Sequence, residues 1–148
     1  MALADNKKAR FDYEIIETIE AGIELLGMEV KSIRTHGATL DGAYVTIRGG
    51  EAYMMQMSVP PYQPTNSPKE YDPLRIRRLL LTKKEIRKLA DIEAGKGLTI
   101  VPIKVYNKGK KVKIAIGIAR GKKTFDKRES IKKRETDRES RRTLKYEE

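Results

Sequence analysis

The chain has 148 residues, which suits one domain with a single hydrophobic core and an appended arm. Lys and Arg number 32 against 21 acidic residues, a net charge of +11 with pI near 9.8, the electrostatic footprint of a protein that meets a polyanion. Having no cysteine excludes disulfides, thiolate metal sites and cysteine nucleophiles, and Leu79-Leu80-Leu81, the longest clean apolar run, is far short of a bilayer span.

Met1-Ala-Leu-Ala-Asp-Asn-Lys-Lys8 has no apolar stretch of signal-peptide length, so a cytoplasmic protein is expected. Ile15, Ile16, Thr18 and Ile19 predict a strand from Tyr13, bent at Gly22 and resumed over Ile23 to Leu26. Gly27 to Arg34 predicts a short helix, with Val30, Ile33 and Arg34 at helical offsets. After the turn signal Asp41-Gly42, Ala43 to Arg48 alternates around Val45 and Ile47, and Gly49-Gly50 leads into a hairpin partner over Ala52 to Val59. Prolines 60, 61, 64, 68 and 73 predict a loop that leads to a helix.

Thr82-Lys-Lys-Glu85 reads as a capping box for a helix carrying Ile86, Leu89 and Ala90, with Gly95 or Gly97 as terminator. Leu98 to Tyr106 predicts a strand with Leu98, Ile100, Pro102 and Lys104 on one face and Thr99, Val101, Ile103 and Val105 on the other. Beyond the turn Asn107-Lys-Gly-Lys110, Val112, Ile114, Ile116 and Ile118 alternate with Lys113, Ala115, Gly117 and Ala119. Residues 120 to 148 hold 12 basic and 7 acidic side chains and little apolar bulk, so this tail is expected to be disordered alone and able to fold on a partner. The elements predict a mainly β fold with peripheral helices: a small antiparallel OB-like barrel over residues 1–119 and a basic C-terminal tail over 120–148.

Six segments carry a more specific signal: Asn6 to Tyr13, Glu20 to Ile23, Gly27 to Arg34, Asp72 to Leu81, Gly97 to Pro102 and Gly121 to Arg128. In this order and spacing the chain resembles the SsrA-binding protein (small protein B) family. The resemblance implies an OB-type barrel that grips the tRNA-like domain of tmRNA and carries it into the empty A site of a stalled ribosome. It implies a tail that folds as a helix in the vacant mRNA channel near the decoding centre and its rRNA. Elongation factor Tu and alanyl-tRNA synthetase act on the same RNA, and the protein itself is implied to be no enzyme and to need no cofactor or metal.

The resemblance places RNA contacts at Asn6, whose amide can pair with base edges, and at Glu20, whose carboxylate can accept from a base amino group. Leu80 would touch an unstacked base and Lys113 a phosphate. Lys7, Lys8 and Arg10 would neutralise phosphates, and Lys31, Arg34, Arg75 and Arg77 are further candidates. In the tail, Gly121, Lys122, Lys123, Asp126, Lys127 and Arg128 match segments tied to ribosomal function. His36-Gly37-Ala38-Thr39-Leu40 departs from the family's usual Gly-Lys-Ala-Asn-Leu, removing a lysine, and Phe11 stands where His is common. Two readings compete: a general single-strand nucleic-acid binder on an OB barrel, and a metal nuclease using Glu20, Glu24 or Glu29.

Overall fold

The computed structural model describes residues 2–63, 70–95 and 97–121. Within them the strands are β1 (Ala2–Asp5), β2 (Tyr13–Ile23), β3 (Tyr44–Arg48), β4 (Glu51–Met55), β5 (Arg77–Leu80), β6 (Thr99–Lys108) and β7 (Lys111–Gly121). The helices are α1 (Lys7–Asp12), α2 (Gly27–His36) and α3 (Lys83–Ala94). All strand pairs are antiparallel, in the order β1-β6-β7-β2-β5-β4-β3. The sheet curls so that β3 lies beside β6 with α3 packed against both, which gives the OB-like form. Among the described residues no ladder joins β3 to β6 or β1, so the curl is completed by packing rather than by hydrogen bonds.

The concave face is the core, with Ile19, Ala21 and Ile23 of β2, Leu79 of β5, Val105 of β6 and Ile114 and Ile116 of β7 all buried. Ile33 of α2 and Leu89 of α3 close it from the helical side. A smaller cluster lies on the convex face, where Ala9 of α1 packs with Val101 and Ala119 beside Tyr13 and Ile15. Both faces of β6 and β7 are therefore covered at one end of the sheet, which explains why β7 is apolar on both sides from Ile114 to Ala119.

Gly49 (φ 57°) and Gly50 (φ 77°) supply the two positive dihedrals of a type I′ hairpin between β3 and β4. The capping box of α3 forms as expected, Glu85 N donating to Thr82 Oγ1 at 3.2 Å and Thr82 N to Glu85 Oε1 at 3.0 Å. Gly22 does not bend the chain. It stays within β2, paired with both Leu80 and Lys113. The second hairpin strand stops at Met55 because Gln56 adopts φ 61°. The short elements β1, α1 and β5 arise where no periodic pattern announces them. β7 runs through Gly121, which pairs with Tyr13, so the expected boundary after Ala119 falls inside this strand.

The expected alternation along β6 is corrected by a β-bulge. Pro102 pairs with Ile116 and Lys104 with Ala115, leaving Ile103 as the extra residue. The phase flips there, so Ile100 and Val105 both enter the core although they are an odd number of residues apart. Lys104, Tyr106 and Lys108 are carried to the convex face, and Pro102 sits where the ladder is already interrupted.

Candidate nucleic-acid interface

The convex face divides at the Ile103 bulge. One end is covered by α1. At the other, Lys104, Tyr106 and Lys108 of β6, Lys113 of β7, Glu20 of β2 and Leu80 of β5 come together through the ladder, where Tyr106 faces Lys113 and Gly22 pairs on its two sides with Lys113 and Leu80. Leu80 is 47% exposed, unusual for a leucine held in a sheet, and Gly22 makes room for it. A Cβ added at Gly22 would lie 3.1 Å from Leu80 Cβ.

Glu20 organises this face. Its Oε2 accepts a short hydrogen bond from the Tyr106 hydroxyl, and its Oε1 accepts from Lys108 Nζ at 2.9 Å. The Tyr106 hydroxyl and the Lys108 ammonium, with the nearby Lys113 charge, hold the Glu20 carboxyl below its ordinary range against the opposing effect of burial. Burial and the Glu20 carboxylate in turn push the Tyr106 phenol up to about 12. Lys104 Nζ stands 5.5 Å from the centroid of the Tyr106 ring. The result is a ring oriented at its hydroxyl end and ringed by cations, an arrangement suited to phosphate and base contact.

Next to this face lies a cleft of about 270 Å³ between Leu25, Val30, Leu80 and the hairpin residues Lys111, Val112 and Lys113. Its walls are apolar and its rim is lysine. Of the residues the resemblance offers, Glu20, Leu80 and Lys113 stand together here. Lys104, Tyr106 and Lys108 join them, a placement that strict alternation hides because it puts Lys104 on the same face as Ile100.

Other expected contacts are placed differently. Asn6 is 4% exposed in the protein by itself. It is the N-cap of α1, its Oδ1 accepting from Ala9 N at 3.1 Å while its Nδ2 donates to Pro102 O at 2.9 Å. Arg77 likewise turns inward. It is fully buried, donating from Nε to Glu29 Oε2 at 2.9 Å and from Nη1 to the Met57 and Arg75 carbonyls at 2.7 and 3.0 Å. Arg75 pairs with the other Glu29 oxygen, leaving its guanidinium only partly at the surface.

Glu29 is therefore not a free surface charge. Burial raises its carboxyl, but hydrogen bonds from Arg75, the Leu26 amide and Arg77 overcome this and hold it at about 2. Tyr71 Oη, 2.9 Å from both Glu29 Oε2 and Val59 O, ties the proline loop to the same carboxylate. Glu20 and Glu29 thus each answer cations of their own at separate places, and no group of three or more His, Asp or Glu suited to a metal occurs among the described residues. Lys7 and Lys8 are exposed on α1, where Arg10 pairs with Asp5 at 3.0 Å. Lys31 is exposed on α2, and Arg34 reaches the β6–β7 hairpin. Gly121 ends β7, while Lys122, Lys123, Asp126, Lys127 and Arg128 lie outside the described residues. No helix among the described residues is long and apolar enough to cross a membrane.

A curled antiparallel sheet bearing a lysine-rich convex face has the build of an OB-like polyanion-binding protein. The comparisons with known proteins narrow this class. The model of the SmpB protein family matches residues 3–146. The SsrA-binding protein of Thermosynechococcus vestitus is 50% identical over 143 residues, covering 97% of this chain and 94% of that protein. The SsrA-binding protein of Lactobacillus delbrueckii subsp. bulgaricus is 54% identical over 140 residues, covering 95% and 91%. A chain of the solved structure "tmRNA-SmpB: a journey to the center of the bacterial ribosome" superposes with TM-score 0.67 at 45% identity, covering 81% of this chain and 84% of that one. The chain belongs to the SmpB family.

Proposed function

We propose that this protein binds the tRNA-like domain of tmRNA and delivers it to stalled ribosomes for trans-translation, in which the ribosome is rescued and the nascent peptide tagged. The observation that carries the reading is identity of 50% across 97% of the chain to a protein named for SsrA binding. The convex face supplies the chemistry. Lys104, Lys108 and Lys113 neutralise phosphates, Leu80 offers apolar surface to an unstacked base, and Glu20 fixes the Tyr106 ring among them.

Lys7, Lys8, Arg10 and Lys31 extend the basic surface without reading sequence. Residues after Gly121, with Lys122, Lys123, Asp126, Lys127 and Arg128, serve the ribosome at the decoding centre, the mRNA channel and its rRNA. Elongation factor Tu and alanyl-tRNA synthetase are reached only through tmRNA. The protein works in the cytoplasm by binding alone, without cofactor and without catalysing a reaction.

A gel-shift comparison of three RNAs tests this: the tRNA-like domain of tmRNA, an elongator tRNA, and an unstructured RNA of equal length. The tRNA-like domain should bind tightest. Equal affinity for the unstructured RNA would replace the proposal with general single-strand binding.

A further inference from the structure

Arg34 sits in the last turn of α2, exposed, with its guanidinium engaged by the neighbouring hairpin. Its Nε donates to Asn107 Oδ1 at 3.2 Å and its Nη2 to the Lys110 carbonyl at 2.7 Å. Both acceptors belong to the tip of the β6–β7 hairpin, where Lys108 faces Lys111 across the turn at Gly109, whose φ is 63°. That tip carries Lys108, Lys110 and Lys111, with Lys113 two residues on. Such crowding of like charge favours fraying, and a two-residue turn on an exposed ribbon has little packing to resist it.

The attachment suits a cationic tip. Its acceptors are a carbonyl and an amide oxygen rather than carboxylates, so the attachment adds no negative charge beside Lys110, Lys111 and Lys113. Arg34 itself gains from its place at the C-terminal end of α2, where the helix dipole favours a cation. Two donors of one planar group reach two different residues of the turn, which fixes orientation as well as distance.

The opposite end of α2 is anchored too. Glu29, in its first turn, receives Arg75 and Arg77 from the segment that continues into β5, the strand bearing Leu80. One ten-residue helix thus joins the Leu80 wall of the cleft to the lysine wall, with Val30 between them.

We infer that Arg34 is a positioning residue: it brackets the β6–β7 hairpin to α2 and so sets where Lys110, Lys111 and Lys113 stand for RNA, rather than acting chiefly as a phosphate contact. This rests on the tmRNA reading of the same face.

The test compares Arg34→Ala, Asn107→Ala, their double variant and Arg34→Lys in the full chain. The readouts are affinity for the tRNA-like domain of tmRNA at fixed salt, and amide hydrogen exchange over residues 107–113 in the free protein. Arg34→Ala should weaken binding by roughly three- to tenfold and speed exchange at the hairpin. Asn107→Ala should weaken it less, and the double variant should match Arg34→Ala within about twofold, the non-additivity of two residues in one contact. Arg34→Lys, which keeps the charge but loses the fork, should stay closer to Arg34→Ala than to the wild type. Additive losses, full rescue by lysine, or weakened binding with unchanged exchange would each overturn the bracket in favour of direct contact, and unchanged binding by Arg34→Ala would remove the role altogether. If Arg34→Ala folds poorly, Asn107→Ala and Arg34→Lys decide between the same outcomes. Wild-type protein that fails to prefer the tRNA-like domain would sink the tmRNA reading instead, while the exchange experiment would still report on the bracket.

Discussion

Glu29→Gln is the sharpest probe of what holds the molecule together. The substitution keeps the size of the side chain and an oxygen able to accept from the Leu26 amide, but it removes the charge that faces Arg75 and Arg77. A carboxyl held at about 2 in the folded state, against an ordinary 4.5, contributes about 3 kcal/mol at neutral pH, at 1.36 kcal/mol per tenfold in the proton equilibrium. Loss of one partner from a buried pair leads to a similar figure, roughly 3–5 kcal/mol. The lower end applies here, because Arg77 would still donate to the carbonyls of Met57, Pro73 and Arg75.

Urea unfolding followed by circular dichroism should therefore show Glu29→Gln less stable by about 3 kcal/mol at pH 7, with a melting midpoint lower by roughly 10 °C. The pH dependence has a fixed sign. Since folding depresses this pKa, the contribution is complete above about pH 4.5 and disappears as pH falls toward 2, so wild type and variant should converge in that window. A difference under about 1 kcal/mol at pH 7, or one that persists undiminished into acid, would mean that the arginines are solvated well enough not to need the carboxylate.

Four further outcomes are expected. Gly117→Ala should lower stability by about 1–3 kcal/mol in the same urea assay, because its Cβ would fall 2.7 Å from Ile103 Cδ1 and 3.3 Å from Ile15 Cγ2; a neutral result would show that the α1 end of the convex face repacks freely. Affinity for the tRNA-like domain should fall steeply with salt, and Lys113→Ala should flatten the plot of log K against log salt by roughly 0.7–0.9, whereas an unchanged slope would remove Lys113 from the phosphate contacts. Truncation after Gly121, which keeps β7 whole, should leave affinity for the tRNA-like domain within about twofold while abolishing tagging on stalled ribosomes; loss of RNA binding would refute the division between body and tail. Glu20→Gln should bring the Tyr106 phenol from about 12 back toward its ordinary 10, as followed by tyrosine ring NMR against pH, and a phenol that does not move would show that burial alone perturbs it.

The fold was legible wherever one physical rule acted alone. Glycine pairs at 49–50, the Thr82–Glu85 box and the alternation from Val112 to Ala119 each report a local preference that the tertiary structure leaves intact. β5 was hidden because four residues containing two arginines look like a solvated cluster, and only the burial of Arg77 against Glu29 turns them into an inner strand. The resemblance offers Asn6 as a base contact, and nothing in the short polar segment around it marks it as the cap of a helix. Its partners, Ala9 and Pro102, are three and 96 residues away, and only the first lies within a local pattern.

The polar end of the convex face shows the same limit in its strongest form. A period of two assigns every side chain of β6 to a face, so a single inserted residue reverses everything beyond it. Ile103 is that residue, and it can be extra because Gly117 opposite leaves space for its side chain and Pro102 beside it has no amide to pair. Without the bulge, Lys104 and Tyr106 would turn toward the core and Val105 toward solvent, and Glu20 would lose the hydroxyl that orients it. The packing of α1 and the chemistry of the polar face therefore depend on one irregularity, which is why motifs point to Glu20, Leu80 and Lys113 while Lys104, Tyr106 and Lys108 beside them emerge only from the register.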